Sequence, residues 1–80
     1  MDEMDRRFRE AVAEVLKVAP EQINDESSPK TVPSWDSLNH LLLVAHLETV
    51  FDTEMTTEEV VGIGCIADLR KILEAHGVRF

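Results

Sequence analysis

The sequence predicts an all-α fold: a four-helix bundle with a short third helix and a long loop between helices 1 and 2. Three observations predict it. Apolar residues recur at spacings of three and four near both ends of the chain, a denser apolar run fills residues 37–51, and no stretch alternates with period two for long enough to make a strand. Eighty residues are expected to make one domain, residues 1–80, with a modest core. A chain of that size buries only about 60 % of the surface it exposes when unfolded.

The first helix is predicted from about residue 2 to residue 18. Met4, Phe8, Ala11, Val12, Val15, Leu16 and Ala19 form its apolar stripe, acids occupy its first turn, and Pro20 cannot continue it. Residues 19–36 read as a long ordered loop, rich in Pro and Ser and tacked to the core by Ile23, Val32 and Trp35. Such a loop is either functional or a plain crossover between helices that must lie side by side.

The second helix, residues 37–51, is apolar nearly all round, so it is central to the bundle, offers a face to a partner, or does both. Thr56-Thr57-Glu58-Glu59 matches a capping box, with Thr56 as N-cap and Glu59 at N3. Gly62 and Gly64 follow so soon that this third helix has only a turn or two. The fourth helix runs from about residue 66 to residue 76 on the stripe Ile66, Leu69, Ile72 and Leu73, and Gly77 is placed to end it.

Charge narrows the function classes. The net charge of -8 argues against nucleic acid, whose phosphates require Lys and Arg. Residues 21–60 hold nine acids and one base, so they carry the whole excess. The field either keeps a small protein soluble or speeds encounter with basic partners. One cysteine allows no internal disulfide, and no Cys/His cluster has zinc spacing, so no metal is expected. The charged N-terminus is unlike a signal peptide, and no apolar run approaches the roughly 20 residues of a membrane span. A soluble, monomeric, cytoplasmic protein is the expectation.

The chemistry-bearing feature is Asp36-Ser37-Leu38, within Pro33-Ser34-Trp35-Asp36-Ser37-Leu38-Asn39, where the loop gives way to the second helix. Ser37 is either a helix cap, with Asp36 as the alternative cap, or a point of covalent attachment. A helix start favours attachment of a phosphate, because unpaired N–H groups and the positive dipole end face it. A Ser-His-Asp triad drawn from Ser37, His40 and Asp36 fails, since the three are too local and no nucleophile elbow is present. His40 and His46 read as surface residues of the second helix. Cys65, where a fourth-helix cap is expected, is either a small buried hydrophobe or a thiol activated by the helix start.

These residues together resemble the acyl carrier protein family over essentially the whole chain. The resemblance rests on Asp36-Ser37-Leu38 opening the second helix, Glu48-Thr49-Val50-Phe51-Asp52 closing it, the short third helix, and Ile66-Ala67-Asp68-Leu69 opening the fourth. It implies that Ser37 carries 4′-phosphopantetheine as a phosphodiester, flanked by Asp36 and Leu38, and that the arm's thiol holds an acyl group as a thioester. It implies a non-catalytic carrier that is the substrate of a phosphopantetheinyl transferase. Its further partners would be acyl- or aminoacyl-loading enzymes, synthases and acyltransferases of fatty-acid, polyketide or related specialised biosynthesis. An aminoacyl or peptidyl carrier uses the same local chemistry, and an unmodified helical adaptor docking through the second helix is the alternative from another class.

Trp35 in a Pro-x-Trp-Asp-Ser-Leu-Asn run resembles stand-alone carriers of specialised metabolism more than the fatty-acid carrier. Between Ser37 and Phe51 only Glu48 is acidic, and Asn39 and Leu42 stand where acids are common in the family. Docking is therefore expected to lean on apolar contact. The candidate docking residues are Leu38, Asn39, Leu42, Ala45, Glu48, Glu58 and Glu59, although Leu42 has burial as its other reading. Leu47, Val60, Val61 and Ile63 are the candidates for a cleft sheltering an acyl chain.

Overall fold

The computed structural model describes residues 3–80, and among them every regular element is helical. Helix α1 spans Glu3–Leu16, α2 Ser37–Val50, α3 Thr57–Val61 and α4 Ile66–Ala75, with a 3₁₀ turn at Pro20–Gln22 inside the first crossover. The predicted four-helix architecture is thus the observed one. None of the described helices is long and apolar enough to cross a membrane.

The core is built from one face of each long helix. Phe8, Val12 and Leu16 of α1, Leu43 and Leu47 of α2, and Ile66, Leu69 and Leu73 of α4 are fully buried, joined by Ile23 from the loop. The α1–α2 pair makes the most extensive helix–helix contact. Truncating one of these leucines to alanine costs about 2–5 kcal/mol, the usual range when a core cavity is left behind.

The first crossover is ordered by its own short polar side chains. Asn24, Ser27, Ser28 and Thr31 each hydrogen-bond backbone N–H groups two or three residues away. Ile23, Val32 and Trp35 are buried where the pattern placed them. Ser34 then joins two helices: its Oγ donates to the Leu16 carbonyl at the end of α1 (2.6 Å), and its carbonyl accepts from Asn39 Nδ2 of α2 (2.7 Å). This bracket fixes the start of α2 relative to α1.

Helix α1 ends at Leu16, two residues before the sequence pattern suggests, and residue 2 lies outside the described residues. Lys17 turns left-handed (φ 58°), and the Val18 N–H bonds back to the Ala13 carbonyl. Asp52 (φ 51°) and Gly77 (φ 97°) end α2 and α4 in the same way, with Thr53 bonding Glu48 and Val78 bonding Leu73. All three long helices therefore close on one six-to-one motif.

Helix α4 starts without a side-chain cap at half-buried Cys65. Its first donors are taken by the crossover instead: Ile66 N–H by the Ser27 carbonyl (2.9 Å) and Ala67 N–H by that of Asp25 (3.0 Å). The loop thus serves as a structural partner of α4 as well as a link between α1 and α2.

Candidate functional site

Asp36 occupies the N-cap of α2, extended in backbone (φ −102°, ψ −175°), and its carboxylate accepts the Asn39 N–H at 2.8 Å. The Asp36 carbonyl accepts the His40 N–H. Ser37 is therefore the first helical residue, not the cap. Its side chain is exposed and makes no hydrogen bond among the described residues. The N–H groups of Ser37 and Leu38 have no acceptor within the helix, as expected for a first turn. An exposed hydroxyl thus stands at the positive end of α2 beside unpaired donors, an arrangement suited to holding a phosphate ester.

Beside Ser37 lies a cavity of about 530 Å³. Pro29, Trp35 and Asp36 from the crossover, Ser37, His40 and Leu41 from α2, Val60 and Val61 from α3, and Ile63 just after it make its walls. Of the four cleft candidates, Val60, Val61 and Ile63 lie there. Leu47 does not line the cavity: it is fully buried in the core, one face of α2 away. Leu41, Trp35 and Pro29 were not anticipated as lining residues.

His40 is not the surface residue expected from its polarity. Its Nδ1 accepts from Trp35 Nε1 at 3.0 Å, and its Nε2 lies 2.9 Å from the Val60 carbonyl. The indole nitrogen can only donate, so the neutral ring carries its proton on Nε2 and donates it to Val60. The signal for this was available: a buried indole N–H requires an acceptor, and His40 is one turn past Trp35. His46 does lie near the surface, its Nε2 3.2 Å from Glu14 of α1.

The docking candidates divide by environment. Leu38 (66 % exposed), Leu42 (50 %) and the unanticipated Leu41 (60 %) stand out from α2 beside exposed Ala45. Spacings of three, four and seven put all four on one stripe. Leu42 is therefore not the core residue that its alternative reading allowed. Asn39 is half-buried and bonded to Ser34. Glu48 accepts the Met55 N–H at 2.7 Å and shapes the α2–α3 turn. Glu58 is exposed, whereas Glu59 closes the predicted capping box with Thr56 and meets His76, the cap residue after α4, at 3.0 Å. The Thr56 backbone N–H, and then His76, hold the Glu59 carboxyl below its usual range.

An acyl carrier protein of Wolinella succinogenes is 34 % identical to this chain over 69 residues, covering 86 % of this chain and 91 % of that protein. The chain belongs to the acyl carrier protein family. No protein-family model matches it. Membership accords with the four-helix order and gives the carrier role. Within that role, the structure of this acyl carrier protein family member puts a free serine hydroxyl, an apolar cavity and an uncharged leucine stripe around the start of one helix.

Proposed function

We propose that this protein carries acyl intermediates as thioesters on a 4′-phosphopantetheine arm attached to Ser37, and hands them to the enzymes of a biosynthetic pathway. The observation that carries the reading is the division of labour at the start of α2: Asp36 supplies the cap, which leaves the Ser37 hydroxyl unused and exposed. The residues present suit the group. The N–H groups of Ser37 and Leu38 and the helix dipole favour the phosphodiester. Asp36 is held back by its bond to Asn39, so that its charge is partly offset next to the phosphate. The arm supplies a thiol that holds the acyl group, and the tether raises the effective concentration of that group at each partner's site. The chain itself contributes attachment, orientation and shelter, not catalysis.

Partner enzymes, the transferase among them, would meet Leu38, Leu42 and Ala45 together with Leu41. No charged residue lies between Ser37 and Leu47, so this contact is apolar, with Glu58 and Glu59 at its margin. The same stripe would serve an unmodified adaptor, and one measurement separates the two readings. The apo-protein is incubated with coenzyme A, magnesium and a broad-specificity phosphopantetheinyl transferase, then weighed. A mass gain of one arm that disappears in Ser37→Ala is expected. No gain, or a gain that survives the substitution, overturns the carrier reading.

A further inference from the structure

The cavity beside Ser37 is walled by elements that are held together by one imidazole. Its crossover wall includes Trp35, and its far wall is α3, which contributes no fully buried residue of its own. Of the α3 side chains only Val60 is a partly buried hydrophobe packed on the core, so packing fixes α3 less firmly than the long helices. Among the described residues, two side-chain hydrogen bonds tie α3 to other elements: Glu59 to His76, just past the end of α4, and the Val60 carbonyl to His40 of α2. The first holds the side of α3 that faces α4. The second holds the end that faces the cavity, on a carbonyl that the Ile63 N–H otherwise reaches only at 3.4 Å.

His40 reaches both walls at once. Its ring lies nearly parallel to the Trp35 indole (19° between planes, centroids 6.1 Å apart), accepts from Trp35 and donates to Val60. Rotation that keeps one bond breaks the other, so the ring works as a strut of fixed length. With both ring nitrogens engaged and the Asp36 carboxylate committed to Asn39, the rest of the lining is chiefly Trp35, Leu41, Val60, Val61 and Ile63. An apolar guest suits such walls, and about 530 Å³ lies in the lower half of the range of small-molecule pockets.

We infer that His40 is a specificity-determining residue: by fixing the spacing between Trp35 and Val60, it limits the length of apolar chain that the cavity beside Ser37 takes. This rests on the carrier reading above.

The test uses the protein loaded at Ser37 with butanoyl, octanoyl or dodecanoyl thioester. Hydroxylamine attacks the thioester carbonyl, the carbon–sulfur bond breaks and the thiol is released, so its rate measures how far each chain is sheltered. In the unaltered protein, protection should rise with chain length and then fall, leaving dodecanoyl exposed. His40→Ala removes the strut and should slow cleavage of the dodecanoyl form about three- to tenfold relative to butanoyl, the worth of one net hydrogen bond expressed as a ratio. His40→Gln, which keeps a donor and an acceptor on one side chain, should restore the original order, a rescue that a merely destabilised helix would not show. His40→Leu keeps much of the side-chain volume while removing both hydrogen bonds and should shift the profile the same way as His40→Ala, so it carries the test should the alanine variant not fold. Length profiles that coincide within about twofold, less than one hydrogen bond, overturn the inference. A normal mass gain on loading followed by coincident profiles sinks this inference alone, whereas no mass gain sinks it together with the carrier reading.

Discussion

The Asn39 N–H donates to the Asp36 carboxylate at 2.8 Å, and this bond passes over Ser37 without using it. The cap of α2 and its exposed hydroxyl are therefore separate groups that separate substitutions can address. Asp36→Ala is expected to cost about 0.5–2 kcal/mol, the usual loss of an N-cap, and Asp36→Asn far less because the amide oxygen still accepts. Ser37→Ala removes a hydroxyl with no partner and should change stability by under about 0.5 kcal/mol. Urea unfolding of the three variants checks the assignment. A Ser37→Ala loss as large as that of Asp36→Ala would return the cap to the serine.

The left-handed residues that close the three long helices give a graded comparison. Lys17 and Asp52 carry side chains where glycine is favoured, while Gly77 already has the suited residue. Lys17→Gly should stabilise by up to about 1 kcal/mol. Asp52→Gly should gain less, since a short polar side chain tolerates this region better. Gly77→Ala should cost about 1 kcal/mol through conformation alone, because a Cβ there meets nothing within 4 Å. Thermal midpoints of the three variants should fall in that order, and a loss from Lys17→Gly would contradict the motif.

How much of this was legible in the sequence depended on the range of each interaction. Helix α2 was legible as a dense apolar run, whereas periodicity located α1 and α4, because one stripe of each faces the core and short spacings record it. The capping box at Thr56 and Glu59 was legible for the same reason, since both partners lie within four residues. Asp36-Ser37-Leu38 was legible as a site, but the assignment of the cap to Asp36 needed the backbone geometry. The strut from Trp35 through His40 to Val60 was half visible: the first bond is local, the second crosses 20 residues. Leu47 looked like a cleft residue because the sequence does not say which side of an all-apolar helix turns inward; Leu43, Val44 and Leu47 do, and Leu38, Leu41 and Leu42 do not.

The loop carbonyls of Ser27 and Asp25 give Cys65 an unusual tolerance. Serine at an N-cap ordinarily adds about 1 kcal/mol over a residue that cannot accept a hydrogen bond. Here the Ile66 and Ala67 donors already have acceptors, and the Asp68 N–H reaches the Cys65 carbonyl at 3.1 Å. Cys65→Ser should therefore shift stability by less than about 0.5 kcal/mol, since little is left for a cap to satisfy. The sensitive position is Ser27, which is buried and whose Oγ accepts the Asn24 N–H. Ser27→Ala should cost about 1–3 kcal/mol by leaving that donor unpaired. Guanidinium unfolding of the pair checks the contrast, and equal losses would mean that the loop does not cap α4.

Acid should weaken the junction of α1, the crossover and α4. Arg70 donates to Asp5 at 2.6 Å and to Asp25 at 3.0 Å, and it lies over the rings of Phe8 and Phe80. Arg9 donates to Asp5 at 3.1 Å. Burial by itself raises the Asp5 carboxyl, but the bonds from Arg70 and then Arg9 outweigh it and hold the group below its ordinary value. The unfolded chain then binds the proton more readily than the folded one. The stability that Asp5 adds is complete above a pH of about 4 and drains away as pH falls through the lower folded value. Asp5→Asn should be less stable than the unaltered protein at neutral pH by about 1–3 kcal/mol, because two guanidinium groups lose a charged acceptor. Its stability should also fall less steeply below a pH of about 4, so that the two curves converge in acid. Urea midpoints measured at several pH values from neutral into that range give the comparison. Curves that stay parallel would assign the acid sensitivity to other carboxylates.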